Sequence, residues 1–234
     1  MVSRTPDAQS CLGNVLEGDT LDLLKTVPAS TFDLIVADPP YMISVASSGS
    51  GKLNPWADLM NASRWYRDLY TDIRRVLKPS GAFWTFMNWQ SMPTIQRAAF
   101  DSGWKISSNL IWDKKCIGPG QTGLRPSYEM VALLCGDDFS IEDRGIPDIK
   151  TFPWSSHKPN GHPAEKPVNL IHWLLEISGG GPGKTFLDPF AGCGTGIVAA
   201  RKIGMDWCGM EIDQAWAEFT RQRIKKETDQ GALL

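Results

Sequence analysis

The sequence predicts an α/β protein built on a doubly wound, largely parallel sheet, with an antiparallel strand near one edge. Three observations carry this. Short apolar runs alternate along the chain with segments whose apolar residues recur at helical spacing. Two of the runs end in turns rich in proline or glycine, at Asp38-Pro39-Pro40-Tyr41 and over Asp188–Gly196. Two further runs, 105–112 and 129–135, read as antiparallel neighbours joined by a glycine-containing linker.

The elements follow in order. Residues 20–27 read as a short helix, and 32–37 (FDLIVA) as a buried strand running into Asp38. Residues 42–57 are rich in serine and glycine and read as a loop. Over 58–77 the apolar side chains Leu59, Ala62, Trp65, Tyr66, Leu69, Ile73, Val76 and Leu77 fall at helical spacing, closed by Lys78-Pro79-Ser80-Gly81. A strand is expected at 82–87, then a helix at 92–101 with Pro93 in its first turn. Residues 136–161 are polar and irregular. A helix follows at 165–177, a strand at 184–188, a helix at 194–204, a strand at 206–210 and a last helix at 213–227. No internal repeat or domain boundary is visible, so residues 1–234 are expected to form one domain.

Composition bounds the function. The chain has 234 residues with 42% hydrophobic and 21% charged content, the profile of an ordinary soluble globular protein. No apolar run is long enough for a transmembrane helix, and the first residues lack a signal peptide's apolar core. Five cysteines, at 11, 116, 135, 193 and 208, show no CxxC. That fits a reducing cytoplasm and neither a disulfide framework nor a structural zinc. The three histidines offer no metal-ligand spacing, so no metal is expected.

The first motif is Asp188-Pro189-Phe190-Ala191-Gly192-Cys193-Gly194-Thr195-Gly196, between a strand and a helix. Its glycines permit a tight turn and close approach of a ligand, and the helix N-terminus then faces that ligand. Glu211 ends the next strand, where a carboxylate can accept from ribose hydroxyls. A dinucleotide site wants G-x-G-x-x-G, whose third glycine is Ile197 here. The G-x-G-x-G spacing favours an S-adenosylmethionine pocket over a nicotinamide pocket. Ser178–Thr185 nearly spells a phosphate-binding loop, but a helix precedes it and a strand follows, the reverse of what that loop needs.

The second motif is Asp38-Pro39-Pro40-Tyr41 at a strand end. Two prolines stiffen the turn and remove two N–H donors. The Asp38 carboxylate and the Pro39 carbonyl can then converge on one NH2 group, with Tyr41 as a flat face for stacking. Such a pocket takes a base only once it has left the helical stack. The plain alternative is a strand-ending turn with a buried tyrosine.

Together the motifs resemble the amino-methyltransferases of DNA, which make N6-methyladenine or N4-methylcytosine. Asp38–Tyr41 resembles their catalytic tetrad and Asp188–Gly196 their cofactor loop. The tetrad comes first here, and that permuted order resembles the beta group. Gly18-Asp19, Trp112-Asp113-Lys114, Glu129 and His162-Pro163-Ala164-Glu165-Lys166-Pro167 are similar to further family segments. The resemblance implies a Rossmann-like methyltransferase fold and S-adenosylmethionine as cofactor. It implies that Asp38, Pro39, Pro40 and Tyr41 form the catalytic turn. It implies that Asp19, Asp38, His162, Lys166, Asp188, Phe190, Gly192, Gly194, Glu211 and Ile212 surround the cofactor. Asp19 as a helix cap, and Lys166-Pro167 as a helix start, are the plain alternatives.

The resemblance implies direct methyl transfer to a flipped-out base of double-stranded DNA. A tetrad beginning with aspartate favours adenine N6 over cytosine N4. RNA or protein amino-methyltransferases use related tetrads, commonly with asparagine first and the cofactor loop upstream. A non-catalytic DNA-binding subunit would be expected to lose one motif, and both are intact. The region usually used for target recognition is short, at 137–161. A homodimer, and a restriction-modification or phage setting in a bacterial cytoplasm, are further expectations of the resemblance.

The net charge of −2 hides a basic middle: residues 61–135 carry ten basic and five acidic side chains. Arg74 and Arg75 read as the solvated face of a helix. Lys114, Lys115 and Arg125 lie in the linker and are the expected phosphate contacts.

Overall fold

The computed structural model describes residues 11–40, 59–118, 123–154 and 160–231. In chain order the elements are β1 (Asn14–Glu17), α1 (Thr20–Thr26), β2 (Phe32–Ala37), α2 (Leu59–Val76), β3 (Leu77–Met87), α3 (Met92–Asp101), β4 (Ile106–Asp113) and β5 (Tyr128–Cys135). Then come β6 (Ile149–Thr151), α4 (Val168–Ile177), β7 (Thr185–Asp188), α5 (Thr195–Lys202), β8 (Asp206–Glu211) and α6 (Gln214–Gly231). Tyr41 and the expected loop 42–57 lie outside the described residues.

The strands form one sheet in the order β1-β8-β7-β2-β3-β5-β4-β6. The pairs from β1 through β3 are parallel. β5 runs antiparallel to both β3 and β4, and β6 returns parallel to β4. One reversed strand thus sits near one edge, as the sequence predicts.

Every residue of β2 is buried, which marks a strand covered on both faces. The alternation along it assigns the two faces. Ile35 and Ala37 join Tyr66, Leu69, Ile73, Ile95 and Ala98 from α2 and α3. Leu34 and Val36 join Leu170, Leu174, Ala199 and Ala200 from α4 and α5. β5 alternates likewise, with Ala132 and Leu134 on the first face and Val131 and Leu133 on the second. Helices on both faces of a sheet make the fold doubly wound.

Four elements differ from the expectations. β1 is absent from the sequence reading, because four residues, NVLE, carry no periodic signal. β3 starts at Leu77, so Lys78-Pro79-Ser80-Gly81 is part of the strand rather than a turn closing α2. Its register jumps from the Phe32–Leu77 pair to the Leu34–Ala82 pair, so these four residues bulge out of the ladder. The bulge carries Lys78 to Asp33, 2.7 Å away. β6 lies inside the segment read as irregular; a three-residue edge strand is too short to show alternation. α4 begins three residues later than expected, with Pro167 as its cap.

Candidate active site

β1, β8, β7 and β2 are adjacent and parallel, so their carboxyl ends lie along one edge. Each end delivers an acid: Asp19 after β1, Glu211 on β8, Asp188 on β7 and Asp38 after β2. Ligands of open α/β sheets bind outside this edge. A pocket there is lined by Asp38, Phe86, His162, Lys166, Asp188 and Phe190, among others.

The glycine loop is the floor of that pocket. Gly194 caps α5 with φ +81°, and a side-chain carbon there would lie 2.6 Å from Thr220. Gly192 has φ +50°, and the His162 ring would lie 3.0 Å from such a carbon. Glycine is needed on both counts. The loop is tied down from several sides. The Gly192 amide donates to Glu211 Oε2 at 2.7 Å, the Thr220 hydroxyl donates to the Gly192 carbonyl at 2.8 Å, and Thr20 donates to the Pro189 carbonyl at 2.6 Å. Thr20 and Thr220 were silent in sequence, since neither sits in a motif.

Asp19 caps α1, its carboxylate accepting from the Leu21 amide at 2.8 Å. The neighbouring Gly18 amide donates to the Glu211 carbonyl at 2.9 Å, which sets Asp19 beside the end of β8. Ile212 is exposed just beyond. Asp188 is buried, and burial, reinforced by Asp38 and Glu211, pushes its carboxyl up to about 7. His162 packs edge-on against Trp216, with ring centroids 4.5 Å apart. Burial depresses its basicity, against the pull of Glu211 and Asp38.

The Asp38 turn is braced from α2. The Tyr66 hydroxyl donates to the Pro40 carbonyl at 2.7 Å. Burial holds that phenol far above its ordinary pKa, so it stays a donor. In sequence Tyr66 reads only as part of an apolar stripe. Trp65, its neighbour, meets Phe190 of the glycine loop with ring centroids 5.8 Å apart.

Lys166 reaches Asp38 rather than standing in solvent. Its ammonium donates to Asp38 Oδ2, lies 3.6 Å from Glu129 and sits 5.0 Å from the centre of the Phe86 ring. Burial disfavours this charge, but Asp38 and Glu129 outweigh burial and leave the ammonium above the ordinary lysine value.

The three expected phosphate contacts divide. Lys115 is exposed and pairs with Asp113 at 2.8 Å. Arg125 is exposed and donates to the Gly118 carbonyl at 2.9 Å. Lys114 differs from these two in its surroundings. It turns inward to Glu129 at 3.1 Å, its side chain only 13% exposed, with Trp112 and Trp154 each within 6 Å. A charge so placed is paired with a carboxylate inside the fold.

Comparison with known proteins gives the family and the fold. The pattern of the DNA methylase family matches residues 32–222. A protein named as methylase YubD, from Escherichia coli (strain K12), is 25% identical over 225 residues, covering 94% of this chain and 95% of its own. The solved PvuII DNA methyltransferase (cytosine-N4-specific) superposes with a TM-score of 0.71 at 15% identity, covering 90% of this chain and 89% of its own. The M1.HpyAVI–SAM complex superposes with a TM-score of 0.67 at 17% identity, covering 90% and 98%. The two solved structures speak to the fold. The family match takes in the Asp38 turn, the Lys166 segment and the glycine loop together, and the chain belongs to the DNA methylase family.

Proposed function

We propose that this protein transfers a methyl group from S-adenosylmethionine to the exocyclic amino group of a DNA base turned out of the double helix, and that the base is adenine, modified at N6. One observation carries the reading: Asp38, at the head of its turn, and Asp188, Phe190, Gly192 and Gly196 of the glycine loop line the same pocket.

The pocket fits the cofactor. Side-chain carbons at Gly192 and Gly194 would meet His162 and Thr220, so the loop is held in a tight turn, and Gly192 and Gly196 present backbone to the pocket. Glu211 and Asp19 suit the ribose and adenine, and Lys166 and His162 suit the methionine carboxylate. When bound, S-adenosylmethionine supplies a methyl on a sulfonium, an electrophile that needs no enzyme nucleophile. Cys193 is accordingly a packing residue, buried and bonded to Thr195 at 3.5 Å, its thiol pushed up by burial.

The chain's own residues act on the base. Asp38 and the Pro39 carbonyl accept from the target NH2, drawing its lone pair out of conjugation with the ring. Positive charge that develops on nitrogen is stabilised by those acceptors. Tyr41 stacks on the base and excludes water. The aspartate at the head of the turn favours adenine; the same pocket with cytosine N4 is the second reading. The remaining proposals follow from the first. Double-stranded DNA is the partner, residues 1–234 act as one domain, 137–161 contribute to target choice, and the enzyme works in a bacterial or phage-infected cytoplasm, alone or as a homodimer.

The test is to incubate the protein with methyl-labelled S-adenosylmethionine and a mixed-sequence plasmid, then map the modified bases. Label at N6 of adenine in one sequence context is expected. Label at N4 of cytosine would move the reading to the second base, and no label in DNA would overturn it.

A further inference from the structure

We infer that Glu129 is a positioning residue for methyl transfer: anchored by Lys114, it holds the Lys166 ammonium between two carboxylates, so that Asp38 keeps capacity to accept the target amino group. The inference rests on the function proposed above.

Four charges line up with alternating sign. Lys114 bonds Glu129 Oε1 at 3.1 Å, Glu129 Oε2 lies 3.6 Å from the Lys166 ammonium, and Lys166 donates to Asp38. One carboxylate therefore bridges two ammonium groups. The side chains of Lys114, Glu129, Lys166 and Asp38 are only 13, 20, 10 and 21% exposed. Charges so sheltered interact far more strongly than they would in water.

The fold dictates this meeting. Glu129 stands opposite Trp112 on β4, at the start of the reversed strand β5. Only a reversed strand brings its first residues to the edge where β2 ends at Asp38. Lys114 follows the end of β4 at that same edge. Aromatic walls limit where the ammonium groups can go: Trp112 and Trp154 flank Lys114 at 5.7 and 5.8 Å, and Phe86 lies under Lys166 at 5.0 Å.

The consequence concerns Asp38. A carboxylate locked to one cation is a poorer acceptor for a neutral amine. With Glu129 sharing that cation, Lys166 orients Asp38 without monopolising it. Lys114 keeps Glu129 from being an uncompensated buried charge. Asp188 and His162 also face Lys166 across the pocket, so Glu129 and Asp38 act on its ammonium against a mixed background.

The experiment compares wild type, Glu129→Gln and Glu129→Asp by steady-state methylation across pH, with thermal melts and S-adenosylhomocysteine binding on each. Glu129→Gln is expected to lower kcat about 10- to 100-fold, the scale of an ångström misplacement, with KM for DNA little changed and any weakening of S-adenosylhomocysteine binding, through Lys166, smaller than the loss of kcat. It should also bring an alkaline loss of kcat into the range where wild type is flat, because Lys166 has lost one of two stabilising anions. Glu129→Asp keeps the charge on a shorter arm and should lose kcat while keeping the flat profile. A folded Glu129→Gln protein with wild-type kcat, or with a loss uniform across pH, overturns the inference. If Glu129→Gln does not fold, wild-type kcat in Glu129→Asp overturns it instead. A wild-type protein that methylates no DNA overturns the proposed function and is seen separately in the control.

Discussion

Lys166 donates a hydrogen bond to Asp38 across 128 positions of sequence. The pair joins the segment before α4 to the end of β2, and both groups line the pocket. Asp38→Ala should abolish methyl transfer, because its loss removes an acceptor that acts on the reacting nitrogen. Lys166 still has Glu129 within 3.6 Å, so the variant should fold. S-adenosylhomocysteine should still raise its melting temperature. Methyl label entering DNA at the wild-type rate would contradict the role given to Asp38.

Gly194→Ala tests the glycine loop. The residue has φ +81°, and the added carbon would meet Thr220 at 2.6 Å. Strain and displacement together should cost about 1 to 3 kcal/mol of stability. The thermal shift produced by S-adenosylhomocysteine should shrink as well. Gly194→Ala combined with Thr220→Ser removes the nearest methyl and should recover part of both. A single variant with unchanged melting and unchanged shift would show that the loop needs no glycine there.

Asp188 gives a pH signature. Burial, with Asp38 and Glu211, pushes its carboxyl up to about 7. Above that pH it is an anion beside the pocket, and below it is neutral. Binding of the cationic S-adenosylmethionine should therefore strengthen as pH rises through about 7, relative to binding of the uncharged-sulfur product. The ratio of the two affinities, measured by calorimetry from acid to alkaline pH, should climb through that range. Asp188→Asn should leave the ratio flat.

Much of this was legible in sequence because it rests on local signals. β2 shows as an apolar run broken only by Asp33, and α2 as a stripe of apolar residues, although the expected close at Lys78–Gly81 is strand. The two motifs show because a tight turn constrains residue type. What was hidden depends on distant pairing. Lys114 reads as a linker cation: the expected hairpin brings Glu129 near it, but no local pattern says that the side chain turns inward to that carboxylate. Thr20, Tyr66 and Thr220 brace the site from three separate helices. β1 and β6 are too short to carry a period and exist because a neighbouring strand offers them a ladder.

Asp33 predicts the acid behaviour of the fold. It is buried in β2 and accepts from Lys78 at 2.7 Å, Lys184 at 3.1 Å and the Thr185 amide at 2.9 Å. Burial alone would raise its carboxyl, but these donors outweigh burial and hold it below the ordinary value of 3.8. A depressed carboxyl stabilises the fold above its unfolded pKa, and that contribution fades as pH falls through the lower, folded value. Asp33→Asn should cost about 1.5 to 3 kcal/mol at neutral pH. Its melting temperature should also depend less on pH in the acid range than that of wild type. Parallel curves for the two proteins would place the acid sensitivity elsewhere.

The salt dependence of DNA binding separates the linker's three cations. Each phosphate neutralised adds about 0.9 to the slope of log K against log salt. Lys115 and Arg125 are exposed at the edge that carries Asp38, where a duplex must lie if its base is to enter the pocket. Their local partners, Asp113 and the Gly118 carbonyl, are surface contacts that a phosphate can replace. The double variant Lys115→Ala/Arg125→Ala should flatten the slope by about 1.8 while leaving melting unchanged. Lys114→Ala should do the reverse. Its ammonium is bound to Glu129 at 3.1 Å, so its loss strands a sheltered carboxylate and lowers melting, with the slope intact. Equal slopes for all the proteins would remove the linker from the DNA face. A flattened slope in Lys114→Ala alone would mean that this lysine leaves Glu129 when DNA binds, and the charge chain that holds Lys166 would then open at the moment of substrate engagement.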